Sequence, residues 1–515
     1  MRPHRGSSAR ELIAAVADAG SWQSWDGPVR RRPPDERYAA HLARAAERSG
    51  GDESVLTGRA TVDGIEVAAV VGDFDFLAGS VGVATAHRIV SATRRATALG
   101  LPLLASTASG GTRMQEGTLA FVQMVSIAGA LADHKAAGLP YLVYQRHPTT
   151  GGVTATWGSL GHLTAAEPDA LVGFLGPRVF EAINGAPFPP DVQRSENLRA
   201  HGVIDAVIPA AELRGVLARV LNLLGRRSSE PAAPPVPLLT DLQQRTTKVA
   251  EAQDRLEPIE GMSPTWSAVT SSRTPDRFGL RELLAGADEL VRLSGTGEGE
   301  RSDALVLALA RLRGETCVVV GQDRVAQHAG QLIGPDGLRE ARRGFALAGE
   351  LRLPLVTIID TPGAELSPRA EEGGLAGEIA RCLTGLMRLD TPVVSMLLGE
   401  GGGGAALALL PADVTVAAVH GWLAPLPPEG ASAIIHRTPD RAAELATDQQ
   451  VDAVSMWRNG IVDVVVGGVE DPTADPTGRD LLDAIGAAVH AADKMSPAER
   501  LRRRSDRYQA MGAID

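Results

Sequence analysis

The chain carries one pattern twice. Leu101-Pro102-Leu103 returns 252 residues later as Leu353-Pro354-Leu355, Gly110-Gly111 as Pro362-Gly363, Leu139-Pro140 as Thr391-Pro392, and Gly151-Gly152 as Gly403-Gly404. The offset drifts at the edges, to 250 for Gly64-Ile65-Glu66 against Gly314-Glu315-Thr316 and to 258 for residues 202–205 against 460–463. One matched Leu-Pro pair is cheap, but several landmarks in the same order, set in matching strand and helix patterns, mark an internal duplication. A chain of 515 residues exceeds what one hydrophobic core usually holds. The repeat says how it divides: about 56–210 and 305–466 are two copies of one β/α domain. Gly225 to Pro237, with Ser228-Ser229 and four prolines, has linker composition. A helical stretch, Leu239 to Leu256, leads into the second copy.

Within the first copy, Ile65 to Val71 reads as a strand. Val83 to Leu99 reads as a helix with Ala86, Ile89, Val90, Thr93 and Ala96 on one face. Leu101 to Ser106 is a strand that ends in Ser109-Gly110-Gly111-Thr112-Arg113. A helix from about Gly117 to Ala137 follows, and a strand from Pro140 to Tyr144 runs into His147-Pro148-Thr149-Thr150-Gly151-Gly152. Residues 1–54 are polar, with one short amphipathic helix near Arg10 to Ala19, and globular patterning begins near Leu56.

Charge and composition exclude several classes. With 51 basic and 62 acidic residues the formal charge is −11, which argues against a nucleic-acid partner. The basic runs Arg30-Arg31-Arg32 and Arg500 to Arg504 read as solvated chain ends. No apolar run reaches the roughly 18 residues of a membrane span, and the N-terminus has no hydrophobic signal core, so the cytoplasm is the expected location. Cys317 and Cys382 form no CxxC pair, so neither a zinc ribbon nor a disulfide framework is expected, and no metal site.

The second copy holds the most constrained stretch. The apolar run Val393 to Leu398 reads as a buried strand that breaks into five glycines within residues 399–404, and Ala405 to Leu410 then favours a helix. Gly399-x-Gly401-x-x-Gly404 matches the dinucleotide fingerprint in letters only. The helix after it has about six residues before Pro411, no acidic residue closes a second strand, and the copy at Gly151-Gly152 lacks the pattern. No Gly-Lys-Ser/Thr follows, so a Walker A loop is excluded as well. The reading that remains is an oxyanion hole, in which backbone N–H groups beside glycine approach an oxygen closely. The bland alternative is tight helix–strand packing; two copies favour the functional reading.

No base accompanies the two turns. After Gly152 no acid appears until Glu167, and after Gly404 none until Asp413. Neither a Ser-His-Asp nor a Cys-His arrangement can be assigned. Two polarising turns without a protein base suit a reaction whose substrate brings its own.

Ala108 to Glu116, Pro148 to Ala155, Ala166-Glu167-Pro168, Gly173 to Val179 and Gln193 to Glu196 resemble the β subunit of the bacterial acetyl-CoA carboxylase carboxyltransferase. Ser272 to Pro275, Ile359 to Ala364, Ala370 to Gly373, Pro392 to Val394, Gly399 to Ala406 and Pro428 to Gly430 resemble its α subunit. The chain therefore looks like a natural β–α fusion. The resemblance implies an α/β fold of two duplicated crotonase-type ββα-superhelix domains (the ClpP/crotonase superfamily). It places an N-terminal extension at 1–54, the acyl-CoA-side domain at 55–222, a linker and helix at 223–265, the biotin-side domain at 266–475 and a helical tail at 476–515.

The reaction implied is carboxyl transfer from carboxybiotin to the α-carbon of an acyl-CoA, acetyl-CoA giving malonyl-CoA, in fatty acid biosynthesis. In the family the biotin nitrogen removes the α-proton and the enolate attacks CO2, which supplies the base missing above. Carried over, Gly151 and Gly152 serve the thioester, with Gly110 and Gly111 lining the same pocket. Gly404 and Ala405 serve the ureido oxygen of biotin, with Gly401, Gly402, Gly403 and Ala406 around it. Arg113 is placed to meet a CoA phosphate or to pair with Glu116, and both partners stay open.

The implied partners are a separate biotin carboxyl carrier protein and a biotin carboxylase, with a homodimer or larger homo-oligomer that shares its active sites between copies. Alternatives are a malonyl-type decarboxylase or transcarboxylase component, or a silent scaffold subunit. Three departures stand out: the zinc ribbon of the β subunit is absent, Gly403 and Ala405 replace a Ser and a Gly of the α-type run, and Gln322 to Gly337 is short and weakly basic. The acyl chain accepted depends on packing near Trp157 and residues 422–430.

Overall fold

An antiparallel hairpin followed by parallel strands recurs twice along the chain. In this computed structural model the described residues are 8–29, 36–173, 187, 189, 191–225, 259, 261–275, 277–467 and 478–510. The expected linker from 226 on, the helix expected at Leu239 to Leu256 and positions 174–179 of the β-type motif fall outside them. The chain forms two units, residues 1–225 with 297–299, and residues 226–296 with 300–515.

The first unit's sheet contains β1 (Gln23–Ser24), β2 (Val55–Val62), β3 (Ile65–Gly72), β4 (Leu103–Ser109), β5 (Tyr141–Thr150), β6 (Leu163–Ala166), β7 (Val172–Gly173) and β8 (Ala206–Val207). Its order is β1-β2-β3-β4-β5-β6-β8, with β7 paired to the end of β5. The hairpin β2–β3 is antiparallel, and β3 through β8 pair in parallel.

The helix α3 (Val83–Leu99) follows the expected stripe, with Ala86, Ile89, Ala92 and Ala96 buried against Val70, Leu103 and Val143. Its C-terminus is closed by Gly100 in the left-handed region, φ 67°. The helix α4 (Gly117–Ala136) packs beside α3. On the other sheet face α5 (Ala210–Gly225) adds Leu213 to a cluster with Val71 and Tyr144.

The segment before residue 54 is more structured than its polarity suggests. It holds two helices rather than one, α1 (Ala9–Val16) and α2 (Glu36–Ser49). Ala9 and Leu12 join the cluster of Val71 and Tyr144, while Tyr38, Leu42 and Ala45 pack on Phe76. In α2 only a narrow stripe is apolar, and a short stripe on a polar helix leaves little periodic signal.

The second unit repeats the plan with β9 (Glu289–Leu293), β10 (Leu305–Leu312), β11 (Glu315–Gln322), β12 (Leu355–Thr361), β13 (Val393–Gly401), β14 (Val414–Ala418) and β15 (Val464–Val466) in the order β15-β14-β13-β12-β11-β10-β9. Here too β10–β11 is the antiparallel hairpin and β11 through β15 are parallel. β2 begins 250 residues before β10, and β4 and β5 begin 252 residues before β12 and β13. Both faces of this sheet are covered, so β12 and β13 are buried at every position.

Its helices include α6 (Pro264–Ser272), α7 (Arg324–His328), α8 (Pro335–Leu351), α9 (Leu375–Arg388), α10 (Gly403–Leu407), α11 (Arg479–Asp493) and α12 (Pro497–Ala510). α11 lays Leu481, Leu482, Ile485, Ala488 and Val489 on the sheet.

Of the arginines at 500–504 in α12, Arg502 and Arg503 are exposed as expected, but Arg500 and Arg504 are not. Arg500 is 6% and Arg504 1% exposed; Arg500 donates to the Asp390 carbonyl, and Arg504 pairs with Asp413 at 2.8 Å. Partners lying about 90 to 110 residues away in sequence turn an apparent surface charge run into internal crosslinks.

Candidate active site

The two glycine turns share one irregularity of register. Along β4–β5 the pairing steps from Thr107↔Gln145 to Ser109↔Thr149, and along β12–β13 from Ile359↔Leu397 to Thr361↔Gly401. In both, two residues on one strand are matched by four on the next, so β5 and β13 bulge just before the turn. Bulges re-aim the chain at a strand end. Residues 146–148 fill the first bulge, including a cis His147–Pro148 bond, and 398–400 fill the second.

In the first unit Gly151 adopts φ 69°, and a Cβ there would lie 3.0 Å from the Cα of Gly111. The turn and the Ser109–Arg113 loop are thus interlocked backbone to backbone, which brings Gly110 and Gly111 against Gly151 and Gly152. Hydroxyls hold the first half of the loop: the Gly111 amide donates to Ser109 Oγ (3.0 Å), Ser109 Oγ donates to the Gly79 carbonyl (2.6 Å), and the Thr107 and Thr149 hydroxyls meet at 2.9 Å. The Gly152 amide takes no acceptor among the described residues, and Thr112 Oγ1 would lie 2.9 Å from a Cβ at Gly152.

Arg113 pairs with Glu116, as its spacing allows, and with Glu53. It is fully buried, with Glu53 at 2.5 Å and Glu116 at 3.2 Å, and it also donates to Ser54 Oγ and the Ser80 carbonyl. Burial lowers and Glu53 raises its affinity for the proton, with a net upward shift. Glu116 further accepts from Tyr38 of α2 (2.6 Å) and from the Val83 amide that opens α3 (2.6 Å). A guanidinium so enclosed ties the glycine loop to the start of β2 and to α3.

In the second unit the strand runs further than its sequence suggests, through Gly399 and Glu400 to Gly401, and α10 starts at Gly403 and ends at Leu407 rather than spanning Ala405 to Leu410. Gly401 and Gly402 are buried; a Cβ on Gly402 would meet the Pro362 carbonyl oxygen at 2.2 Å. The Gly402 amide is bound to Thr361 O and the Gly403 amide to Ala424 O, each at 2.9 Å. Those three glycines therefore build the turn. The amides of Gly404 and Ala405 take no acceptor among the described residues. Ala406 is buried beneath them. Step back 252 positions and Ala405 falls on Val153, a residue the sequence reading leaves out although the offset itself points to it.

Charges surround this second turn. Glu400, 4% exposed, lies in the bulge with Arg273 at 3.4 Å and His328 at 3.5 Å. Burial pushes its carboxyl above the usual range against the pull of Arg273. Arg273 also grips Glu429 at 2.5 Å and lies over the Trp422 ring, whose Nε1 donates to Ser272 Oγ (2.9 Å). Asp360 binds Arg277 through both oxygens (2.7 and 2.8 Å) and accepts the Glu400 amide (3.1 Å). His420 is buried and held down to about 3 by desolvation, so it stays neutral. Glu400 stands inside the glycine run, between Gly399 and Gly401, so the distance from Gly404 to the next acid does not reveal it.

Comparison with known proteins places this geometry in a family. The carboxyl transferase domain family matches residues 7–475. The probable biotin-dependent acyl-coenzyme A carboxylase beta3 subunit of Mycobacterium tuberculosis (strain ATCC 25618 / H37Rv) is 53% identical over 505 residues, covering 98% of each chain. The acetyl-coenzyme A carboxylase carboxyl transferase subunits beta/alpha of Saccharopolyspora erythraea are 32% identical over 530 residues, covering 99% of this chain and 90% of theirs. A crystal structure of transcarboxylase 12S with methylmalonyl-coenzyme A and methylmalonic acid bound matches in fold, with a TM-score of 0.73 at 21% identity over 94% of this chain and 90% of that one. The duplicated crotonase-type α/β architecture expected from the sequence holds, and the chain belongs to the carboxyl transferase domain family.

Proposed function

We propose that this chain is the carboxyltransferase component of a biotin-dependent acyl-CoA carboxylase, acting on acetyl-CoA or a related acyl-CoA to give malonyl-CoA or its homologue. The observation that carries the reading is the pair of equivalent glycine turns, each presenting backbone amides that no other described group uses, in a chain 53% identical end to end to a probable acyl-CoA carboxylase subunit. The region 55–222 serves the acyl-CoA and 266–475 the biotin. The Gly152 amide, with Gly151, holds the thioester oxygen as negative charge develops on it, and Gly110 and Gly111 wall the same turn. Such donors, fixed beforehand and aimed at developing charge, cost nothing to reorganise during the reaction.

The donor set of the second turn fits a ureido group. Gly404 and Ala405 offer two adjacent uncommitted N–H groups to one carbonyl oxygen, while Gly401, Gly402, Gly403 and Ala406 fix the backbone behind them. Carboxybiotin supplies the carboxyl group and, once that is lost, a basic nitrogen. Arg113 is a positioning residue in this reading, since Glu53 and Glu116 occupy it. A biotin carboxyl carrier protein and a biotin carboxylase are the partners, and a homodimer or larger homo-oligomer working in the cytoplasm is the assembly.

The test starts from the reverse half-reaction. The purified chain with free biotin should decarboxylate malonyl-CoA or methylmalonyl-CoA, and Gly152→Val should lower that rate by on the order of 100-fold or more, the scale of a lost oxyanion donor. With a carboxylated carrier protein, acyl-CoAs of increasing length then read out the chain accepted. A chain inactive with both thioesters, in a complex that Gly152→Val leaves unaffected, would be a scaffold.

A further inference from the structure

The two turns are built alike in backbone but held by different side chains. Hydroxyls, Arg146 and Glu167 bond the first; a buried frame around Gln322 and Asp360 holds the second. Gln322, at the end of β11 and 0% exposed, donates from Nε2 to the Ala405 carbonyl (2.8 Å) and accepts the Asp360 amide at Oε1 (3.0 Å). Asp360, 1% exposed, in turn accepts the Glu400 amide and neutralises Arg277, which donates to the carbonyl of Leu398 (3.2 Å). Gln327 closes the frame, donating to the Asp360 carbonyl (3.1 Å) and accepting from Thr361 Oγ1 (2.5 Å). The chain entering the turn at Leu398 and Glu400 and the chain leaving it at Ala405 are therefore bonded to one rigid unit made of β11, β12 and α7.

We propose that Gln322 and Asp360 are positioning residues that set the aim of the Gly404 and Ala405 amides. This rests on the reading of those amides as the biotin-side hole. Gln322 reaches the exit of the turn, and Asp360 reaches its entrance. The peptide plane that Gln322 grips, Ala405–Ala406, adjoins the Ala405 amide. A peptide plane released from its carbonyl partner can tilt, and displacements near 1 Å in a site of this kind cost up to about 100-fold in rate. The first turn is held by bonds of its own, among them Glu167 accepting the His147 amide and Arg146 donating to Ser106 Oγ, so loosening the Gln322–Asp360 frame leaves those bonds in place and separates the two halves of the reaction.

The experiment uses the full chain carrying Gln322→Met, which keeps the length of the side chain without its donor or acceptor. Asp360→Asn is the second variant; it keeps an acceptor for the Glu400 amide but leaves Arg277 without its charge partner. Three quantities are read: kcat and KM for biotin in the decarboxylation of malonyl-CoA or methylmalonyl-CoA, the Kd of the thioester by calorimetry, and hydrogen–deuterium exchange of residues 399–408 in the ligand-free protein. Gln322→Met should lower the biotin-dependent kcat by about 10- to 100-fold, accelerate exchange in 399–408, and leave the thioester Kd within about twofold. Asp360→Asn should show the same signature with a smaller loss of kcat.

Unchanged exchange together with a kcat within about twofold of wild type overturns the inference, as does an equal loss of thioester binding, which would mark a general loss of structure. A wild-type chain with no biotin-dependent turnover overturns the reading of the hole, and this inference with it. An active wild type with unaffected variants overturns the inference alone.

Discussion

Arg504→Ala is the perturbation whose size the structure fixes most tightly. Arg504 makes three contacts with Asp413, Nε to Oδ1 at 3.1 Å and Nη2 to both oxygens at 2.8 Å, while Nη1 reaches the carbonyls of Leu386 and Leu389 at the end of α9. The two side chains are 0% and 1% exposed. Removing the arginine leaves a buried carboxylate with the Val393 amide (2.8 Å) as its remaining described donor, and takes a donor from the Leu389 carbonyl, while the Leu386 carbonyl keeps the Leu389 amide (3.3 Å). Breaking a buried pair from one side costs about 3–5 kcal/mol. At about 2–4 °C per kcal/mol, that lowers Tm by roughly 6–20 °C. Calorimetry or urea unfolding of the full chain measures it. Adding Asp413→Asn to Arg504→Ala should recover part of the loss by removing the unpaired charge, and the cycle isolates the coupling. A loss below about 1 kcal/mol, or a double variant no more stable than the single one, would refute the reasoning, because an exposed pair behaves that way.

Glu378 meets Arg381 (2.8 Å), Arg342 (2.9 Å) and Arg339 (3.0 Å); burial raises its carboxyl, but these bonds outweigh it and hold the group down to about 2 from 4.5. The folded value lies below the unfolded one, so its contribution is complete above about pH 4.5 and is lost as pH falls towards 2. Glu378→Gln should therefore flatten the stability profile across that window, whereas parallel wild-type and variant profiles would show that the cluster contributes nothing. Gly100→Ala, at φ 67° with nothing within 4 Å of the new Cβ, should cost about 1–2 kcal/mol from backbone strain alone in a denaturant titration. Cys317 and Cys382 are fully buried and Cys382 is pushed up to about 12 by desolvation, so neither should react with iodoacetamide at pH 8 until the chain is unfolded; labelling of the native protein would contradict the packing.

Apart from the repeat, what could be read in the sequence was local. The stripe of α3 and the apolar runs of β4 and β13 follow from periodicity and burial, and the Arg113–Glu116 pair from its spacing of three. What escaped depends on distance along the chain. Glu53, the nearer partner of Arg113, is 60 residues away, and β2 hides because its inward positions alternate with Arg59 and Thr61. Arg504 reads as surface until Asp413, 91 residues earlier, is placed beside it. In the site, the repeat gave the two turns, but only coordinates separate Gly404 and Ala405, whose amides are uncommitted, from Gly402 and Gly403, whose amides are bound within the fold.

The shared bulge shows that the two turns keep one backbone plan with different side chains beside it. Two surplus residues in β5 and in β13 precede the amides of each turn. Direction thus follows residue count, and identity differs at the last bulge position: Pro148 in one copy stands where Glu400 stands in the other. A duplicated gene could therefore change the charge beside one turn without disturbing the aim of either. A one-residue deletion in the bulge should be far more damaging than a substitution at Pro148 or Glu400.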